Sequence, residues 1–425
     1  MSNKEFDLVV YGATSFVGQI LCDYLVNEYL EPNLSWAMAA RSGDKLASLK
    51  ARLGSKADSI PVIIADSFDE SALAAMCQRT SVIISTVGPY ALYGEALLRC
   101  CAESGTDYCD LTGEAPWIAD MIARYENSAR LSGARIVNCC GFDSIPSDLG
   151  VRFLQEQSMQ AFSEPCVEVR MGVRKMRGGA SGGTVASGVN MYKQAAKDPE
   201  LRKTMANPYS LCGDDHGYSH RQAETAVEYL DDFDSWAAPF IMAAINTRVV
   251  LRSNFLSESA WGREFRYSEV MLTGQDKKGK KRAANIARGL KLGAVAMSLA
   301  PTRWLALKFL PKPGEGPSPE EQRQGCFELE FHGRTESGAR IVTRVTGDRD
   351  PGYGCTAKML AQSAISLRRD VDKSERAGGF WTPATVFGPA MFDRLSDHAG
   401  MSFELLHADQ PALLEDQSPA ATGDS

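Results

Sequence analysis

Short apolar runs alternate with amphipathic stretches from residue 5 to residue 145. Leu8–Tyr11, Ser35–Ala40, Val62–Ala65, Val82–Thr86 and Arg135–Asn138 are short and apolar enough to read as strands. Between them, helical spacing of apolar positions predicts helices over Val17–Tyr29, Asp44–Leu53, Ser71–Cys77 and Glu95–Glu103, the last running into Gly105 as a stop. This rhythm predicts an α/β fold that opens with a Rossmann-type, doubly wound parallel sheet over residues 1–145.

After about residue 146 the pattern changes. Glu168–Lys175, Thr247–Arg252, Phe265–Leu272, Phe327–His332 and Ala339–Gly347 alternate, or are β-branched enough, to be strands of a mainly antiparallel sheet. Helices are expected over Thr184–Ala196, over Ala283–Leu310 with a break at Pro301, and over Ala357–Arg369. Residues 146–350 therefore read as a second, α+β domain, 351–407 as a helical segment, and the acidic, polar tail 408–425 as disordered.

Leu8-Val9-Val10-Tyr11-Gly12-Ala13-Thr14-Ser15-Phe16-Val17-Gly18 carries the strongest local chemistry. A buried strand ends, a glycine permits a tight turn, and a helix begins whose free N–H groups and positive dipole suit a pyrophosphate. Ser15 stands where related loops carry a middle glycine, and its hydroxyl is placed to donate to phosphate. Sites that take NAD place an acid at the tip of the second strand. Here that strand ends in Arg41, with Lys45 a turn later, a pair suited to a 2′-phosphate, and Asp44 reads as a helix N-cap. NADP(H) is the expected cofactor. Asp66, after the third strand, is placed at an adenine edge, and Thr86-Val87-Gly88-Pro89 lets backbone pass close to ribose and nicotinamide.

Charge and composition remove other classes. A net charge of -7 argues against nucleic acid as a partner. The N-terminus runs straight into a strand with no signal-peptide layout, and no stretch of about eighteen uncharged apolar residues suggests a membrane span. The 11 cysteines lack zinc-ligand spacing and read as free, mostly buried thiols of a reducing cytoplasm. No metal site is expected, since His216 and His220 lie between glycines that favour a loop.

No tyrosine is followed by lysine four residues later, so the standard catalytic pair of short-chain dehydrogenases is missing. The chain instead resembles the saccharopine dehydrogenase-like oxidoreductases, within them the trans-acting enoyl reductase branch. The resemblance rests on Gly12–Gly18, Gly88-Pro89-Tyr90, Tyr108–Glu114, and Cys140-Gly141-Phe142-Asp143-Ser144-Ile145-Pro146-Ser147-Asp148, the most specific run. It continues through Gly182-Gly183-Thr184, Ala238-Pro239-Phe240, Arg252-Ser253, Pro313–Pro317, Asp350–Tyr353 and Gly378–Pro383. It implies a nicotinamide cofactor and C-terminal helices that return toward the Rossmann domain. It also implies reduction of an enoyl intermediate supplied in trans during glycolipid or related complex-lipid assembly.

Such a reaction needs hydrogen-bond donors and an acid near the nicotinamide. Tyr90 and Tyr93 follow the fourth strand; Asp110 and Glu114 follow the next strand-like segment; Asp143 and Ser144 follow Arg135–Cys140. All gather at the carboxyl edge of the sheet, and the choice among them stays open, because Asp110 and Asp143 are equally suited to capping a helix or bonding the domain junction, and Ser144 is a common capping residue. Lys277–Arg282 precedes an apolar face of Ile286, Leu290, Ala294 and Met297, with Trp304 beyond Pro301. Residues 277–310 therefore suit either an anionic membrane surface or ordinary core packing. The expectation is a cytoplasmic NADP(H)-dependent reductase, a homodimer, acting on a small or carrier-linked acyl substrate, with peripheral contact at the plasma membrane. The rivals are reduction of an imine or carbonyl on an amino-acid-like molecule, and a lipid-surface protein with a non-catalytic dinucleotide site.

Overall fold

The computed structural model describes residues 4–29, 31–179, 182–213, 215–222, 226–298, 300–306, 308 and 315–409. The first six strands are Phe6–Tyr11 (β1), Trp36–Ala40 (β2), Val62–Ile64 (β3), Thr80–Ser85 (β4), Asp107–Asp110 (β5) and Arg135–Val137 (β6). They form a parallel sheet in the order β3-β2-β1-β4-β5-β6, closed by a late strand, Gly379–Trp381 (β13 in chain order), beside β6. The chain leaves β1 for β2 on one side and later enters β4 on the other. The crevice between β1 and β4 is thus the switch point where doubly wound sheets bind ligands.

Helices cover both faces: Phe16–Asp23 (α1), Gly43–Leu53 (α2), Glu70–Arg79 (α3), Tyr90–Tyr93 (α4), Glu95–Ser104 (α5) and Ala115–Ser132 (α6), while Ile145–Phe162 (α7) leads away to pack on the second sheet. The helix expected to run to Tyr29 changes at Tyr24 into a wider π turn. Gly105, with φ of 72°, stops α5 where the sequence placed a stop. Val9, Tyr11, Ala37 and Ile83 meet the helix layer of α3, α5 and α6, while Leu8, Val10, Met38, Val82 and Ile84 face the opposite layer.

The second sheet has the order β14-β12-β11-β7-β10-β9-β8. Its strands are Cys166–Arg177 (β7), Glu228–Leu230 (β8), Ser235–Pro239 (β9), Arg266–Gly274 (β10), Cys326–Thr335 (β11), Arg340–Gly347 (β12) and Met401–Ala408 (β14). Only β7 and β10 pair in parallel, so the sheet is mixed but mainly antiparallel. Its helices are Gly182–Ala195 (α8), Pro199–Ala206 (α9), Ala243–Leu256 (α10), Lys277–Ser298 (α11), Ala300–Ala306 (α12) and Pro319–Gln324 (α13). The run Thr247–Arg252, expected to be a strand, lies inside α10. Its residues from Arg248 to Asn254 are all buried, so no apolar stripe marks the helical period, and burial outweighs the β-branched preference.

The C-terminal segment binds the two halves together. Thr356–Arg369 (α14) packs under β1, β4 and β5 and against α1. Two short helices follow, Pro383–Val386 (α15) and Ala390–Ala399 (α16). The segment expected to be helical thus also supplies β13 to the first sheet and β14 to the second. Of the tail expected to be disordered, Ala408 pairs with Ile341 and Asp409 donates its amide to Arg340; residues 410–425 lie outside the described set. All eleven cysteines are unpaired.

A buried ion pair fixes this return. Arg135, only 2% exposed, meets Asp107 at 2.5 Å and donates to the carbonyls of Leu367 (2.6 Å) and Val371 (2.7 Å) at the end of α14. Removing one member of such a pair strands the other charge, a cost of about 3–5 kcal/mol. Arg135→Leu is expected to lower the melting temperature by several degrees. Arg130→Leu, in an exposed pair with Glu126, should leave it nearly unchanged.

Candidate active site

The loop after β1 is built by three small side chains. Gly12 has φ of 85°, and a Cβ there would lie 2.6 Å from both Thr86 Oγ1 and Val87 Cγ2. A Cβ on Gly18 would lie 2.1 Å from the Gly12 carbonyl. Ser15 caps α1: its Oγ accepts from the Gly18 amide at 2.9 Å and pairs with Thr86 Oγ1 at 2.9 Å. The hydroxyl expected to reach phosphate is therefore committed to the turn itself. The amides of Thr14, Phe16 and Val17 find no protein acceptor among the described residues. Three free N–H groups at a helix N-terminus, beside glycine backbone, fit a pyrophosphate.

Arg41 and Lys45 are exposed at the end of β2, and no carboxylate among the described residues pairs with either. The N-cap of α2 is Ser42, not Asp44, which lies in the first turn. Asp66 accepts the Phe68 amide at 3.0 Å, and its turn presents the Phe68 ring, 75% exposed, edge-on to Tyr93 at 5.9 Å. Phe68 is a further apolar wall of the crevice that the sequence did not single out. Gly88-Pro89 is a cis peptide.

Of the five candidates for chemistry, four serve the scaffold. Tyr90 is buried, donates its hydroxyl proton to the Ser85 carbonyl at 2.9 Å, and accepts from the Leu111 amide. Glu114 caps α4, its carboxylate taking the amides of Tyr90 (2.9 Å) and Ala91 (3.0 Å). Ser144 is fully buried and turns toward Asn246 on α10, at 3.1 Å. Asp110 accepts from the Thr112 and Cys139 amides (3.1 Å each), Asn138 Nδ2 (2.8 Å) and the Tyr108 hydroxyl (3.1 Å). It stitches β5 to β6, and burial still pushes its carboxyl up to about 7 against those four donors.

Asp143 differs. It is half-buried, its carboxylate lying beside the backbones of Gly113 and Gly141, and no side chain among the described residues bonds to that carboxylate; the Ser144 hydroxyl reaches only the Asp143 carbonyl, at 2.7 Å. Burial and the nearby Asp110 charge raise its carboxyl to about 7. It is the one candidate of the five that is not fully buried, and no side-chain donor occupies its carboxyl.

The C-terminal segment and the second domain together roof the crevice. Phe16 of α1 meets Tyr353 edge-on at 5.1 Å, and Thr356 Oγ1 accepts the Phe142 amide at 2.9 Å. Above Gly88 runs α8, whose Ser187 Oγ lies 3.7 Å from where a Gly88 Cβ would be. Asn190, three residues on and so on the same helical face, has its side-chain Nδ2 buried with no partner. An ordinary helical Asn carries no motif, so nothing in the residue pattern marks it out. His216, weighed for metal, instead joins a cluster of stacked rings with Tyr209 (5.0 Å) and Tyr218 (5.6 Å), themselves 5.2 Å apart, and no cluster of three metal-ligand side chains occurs among the described residues.

Comparison with known proteins agrees with this geometry. Residues 8–137 match the saccharopine dehydrogenase NADP binding domain. A trans-acting enoyl reductase of Mycobacterium bovis is 36% identical over 412 residues, covering 93% of this chain and 96% of that protein. A trans-acting enoyl reductase of Mycobacterium ulcerans is 36% identical over 408 residues, with the same coverage of 93% and 96%. Among solved structures, apo saccharopine dehydrogenase (L-Glu forming) of Saccharomyces cerevisiae covers 94% of this chain and 99% of its own, with TM-score 0.52 and 13% identity, a likeness of fold. The cofactor is NADP(H).

Two substitutions check the placement. Gly12→Val would push a branched side chain into Thr86 and Val87, and calorimetry should show NADPH affinity lost with the second domain still folded. Arg41→Ala should weaken NADPH by about tenfold while leaving NADH nearly unchanged, because only the former carries the 2′-phosphate. Equal losses for both cofactors would move the 2′-phosphate site elsewhere.

Proposed function

The chain belongs to the trans-acting enoyl reductase branch of the saccharopine dehydrogenase-like, NADP-dependent oxidoreductases, and from that membership we propose that it reduces the carbon–carbon double bond of an enoyl thioester. The observation that carries this reading is 36% identity, along 93% of the chain, to proteins designated trans-acting enoyl reductases. We assign the substrate to the acyl intermediates of complex-lipid or glycolipid assembly, presented by a separate carrier.

NADPH, when bound, supplies the hydride that adds to the β-carbon. The protein must then deliver a proton to the α-carbon and stabilise charge gathering on the thioester oxygen. Asp143 fits the first task, since its raised carboxyl holds a proton near neutrality and is only half-buried at the carboxyl edge of the sheet. The second falls to α8, where the unpartnered Asn190 amide and the Ser187 hydroxyl share the face that approaches Gly88. A buried amide with no acceptor is already desolvated, so it gains more from an incoming carbonyl than an exposed one would. Asp110, Glu114, Tyr90 and Ser144 hold the crevice edge in shape.

The sign of the pH dependence follows. A proton donor with its carboxyl near 7 is loaded below that pH, so kcat should fall as pH rises through about 7. Asp143→Asn should reduce NADPH oxidation with enoyl thioesters by about a hundredfold and flatten this limb. In the wild type the raised carboxyl makes folding less favourable as pH climbs from the ordinary carboxylate range toward 7. The Asn variant escapes that, so its melting temperature relative to wild type should rise between about pH 4 and pH 7, which separates lost chemistry from lost fold. Oxidation of NADPH with a 2-oxo acid and amine, but with no enoyl thioester, would replace this reading by imine reduction.

A further inference from the structure

Charge is unevenly distributed along this acidic chain. From Lys277 to Lys308 there are nine Lys and Arg residues and no Asp or Glu. With -7 on the whole chain and +9 in this stretch, the remainder carries -16. The stretch forms α11 and, after residue 299, α12.

Only the root of α11 is anchored. Lys280 lies over the Trp236 ring at 4.6 Å, Arg282 donates to the Thr273 carbonyl at 2.9 Å, and Gly279 and Ala283 are its only buried residues. The face of Ile286, Leu290, Ala294 and Met297, expected to be the apolar one, is half-buried on the inner side. The outer face carries Lys277, Lys281, Arg288, Leu292 and Val295, all exposed and aligned by helical spacing. Leu292 is 70% exposed, Val295 59%, and on α12 Trp304 is 63% and Leu305 53% exposed. Lys308 sits 3.7 Å above the Trp304 ring.

We propose that the α11–α12 pair docks this protein on an anionic lipid surface, with the lysines and arginines at the headgroups and Leu292, Val295, Trp304 and Leu305 in the interface. Charge complementarity selects the occupant: the segment is purely cationic, while the rest of the chain would be repelled by the same surface. Long flexible cations beside exposed apolar tips, with tryptophan among them, match an interface that gives no fixed hydrogen-bond geometry. No helix of the described residues is long and apolar enough to cross a membrane, so the contact is peripheral. The same α11 packs against α8, which lies above Gly88 at the crevice. The docking rests on these helices and not on the reaction proposed above.

Flotation of the full chain with vesicles tests it. The protein should rise with phosphatidylcholine vesicles containing phosphatidylglycerol at low salt, be released at high salt, and ignore phosphatidylcholine alone. Replacing Lys277, Lys278, Lys281, Arg288 and Lys291 together by Gln, sparing the anchoring Lys280 and Arg282, should reduce vesicle partitioning by about tenfold or more. Joint Leu292→Ser, Val295→Ser and Trp304→Ser should weaken binding at unchanged charge. Both variants should keep wild-type NADPH affinity, showing that they are folded. Failure to float at low salt, or flotation indifferent to salt and to the Gln substitutions, overturns the proposal, as does binding to an acidic protein by a chain that ignores anionic vesicles.

Discussion

The architecture depends on the burial of α14. Eleven of its fourteen residues are buried, many of them small, and it fills the groove beneath β1, β4 and β5. In most doubly wound sheets a crossover helix between neighbouring strands would occupy such a groove. Here a helix from the far end of the chain takes it. That choice sets the roof of the crevice: Thr356, at the start of α14, receives the Phe142 amide, and Tyr353 just before it meets Phe16 at the phosphate loop. Asp350 prepares the turn into α14 by accepting the amides of Tyr353 (2.7 Å) and Gly179 (3.1 Å), which ties the end of β7 to the same corner.

Within the crevice, chemistry is divided by hydrogen-bond supply. Asp110 and Asp143 lie at adjacent strand ends and both are pushed up to about 7 by burial, yet only Asp110 is wrapped by four donors. Its neighbour has its own backbone for company, and the negative charge of Asp110 adds to the reluctance to ionise. A carboxyl saturated with donors is a brace; one left without them remains available. Asp148, in the same sequence run, is a brace as well, joining Ser253 at 2.5 Å and the Ala384 amide at 2.8 Å.

What could be read from the chain follows from how local each determinant is. The strand, turn and helix around Gly12 were legible because glycine at a tight turn and a helix start are backbone properties. The cation pair Arg41 and Lys45 was legible because the tip of a second strand is a fixed place in this fold. Orientation was not legible. Spacing put Tyr90, Glu114, Asp143 and Ser144 at one edge, but only the packing buries three of them and leaves Asp143 partly exposed. Thr247–Arg252 misled for a related reason: a helix buried on every side has no polar face to announce its period. The seventh strand, Gly379–Trp381, is too short and too far from its neighbours in sequence to be paired with β6 in advance.

That late strand has a consequence for how the protein is made. A ribosome releases the phosphate loop within the first twenty residues, but β13 and α14 emerge only after both sheets are largely synthesised. Until then the first domain carries an uncovered apolar face under β1 and β4 and an open edge at β6. Domains of most proteins fold one after another as they emerge. This one cannot finish its first until nearly all of its last has appeared, so the roof over the phosphate loop is completed only near the end of synthesis.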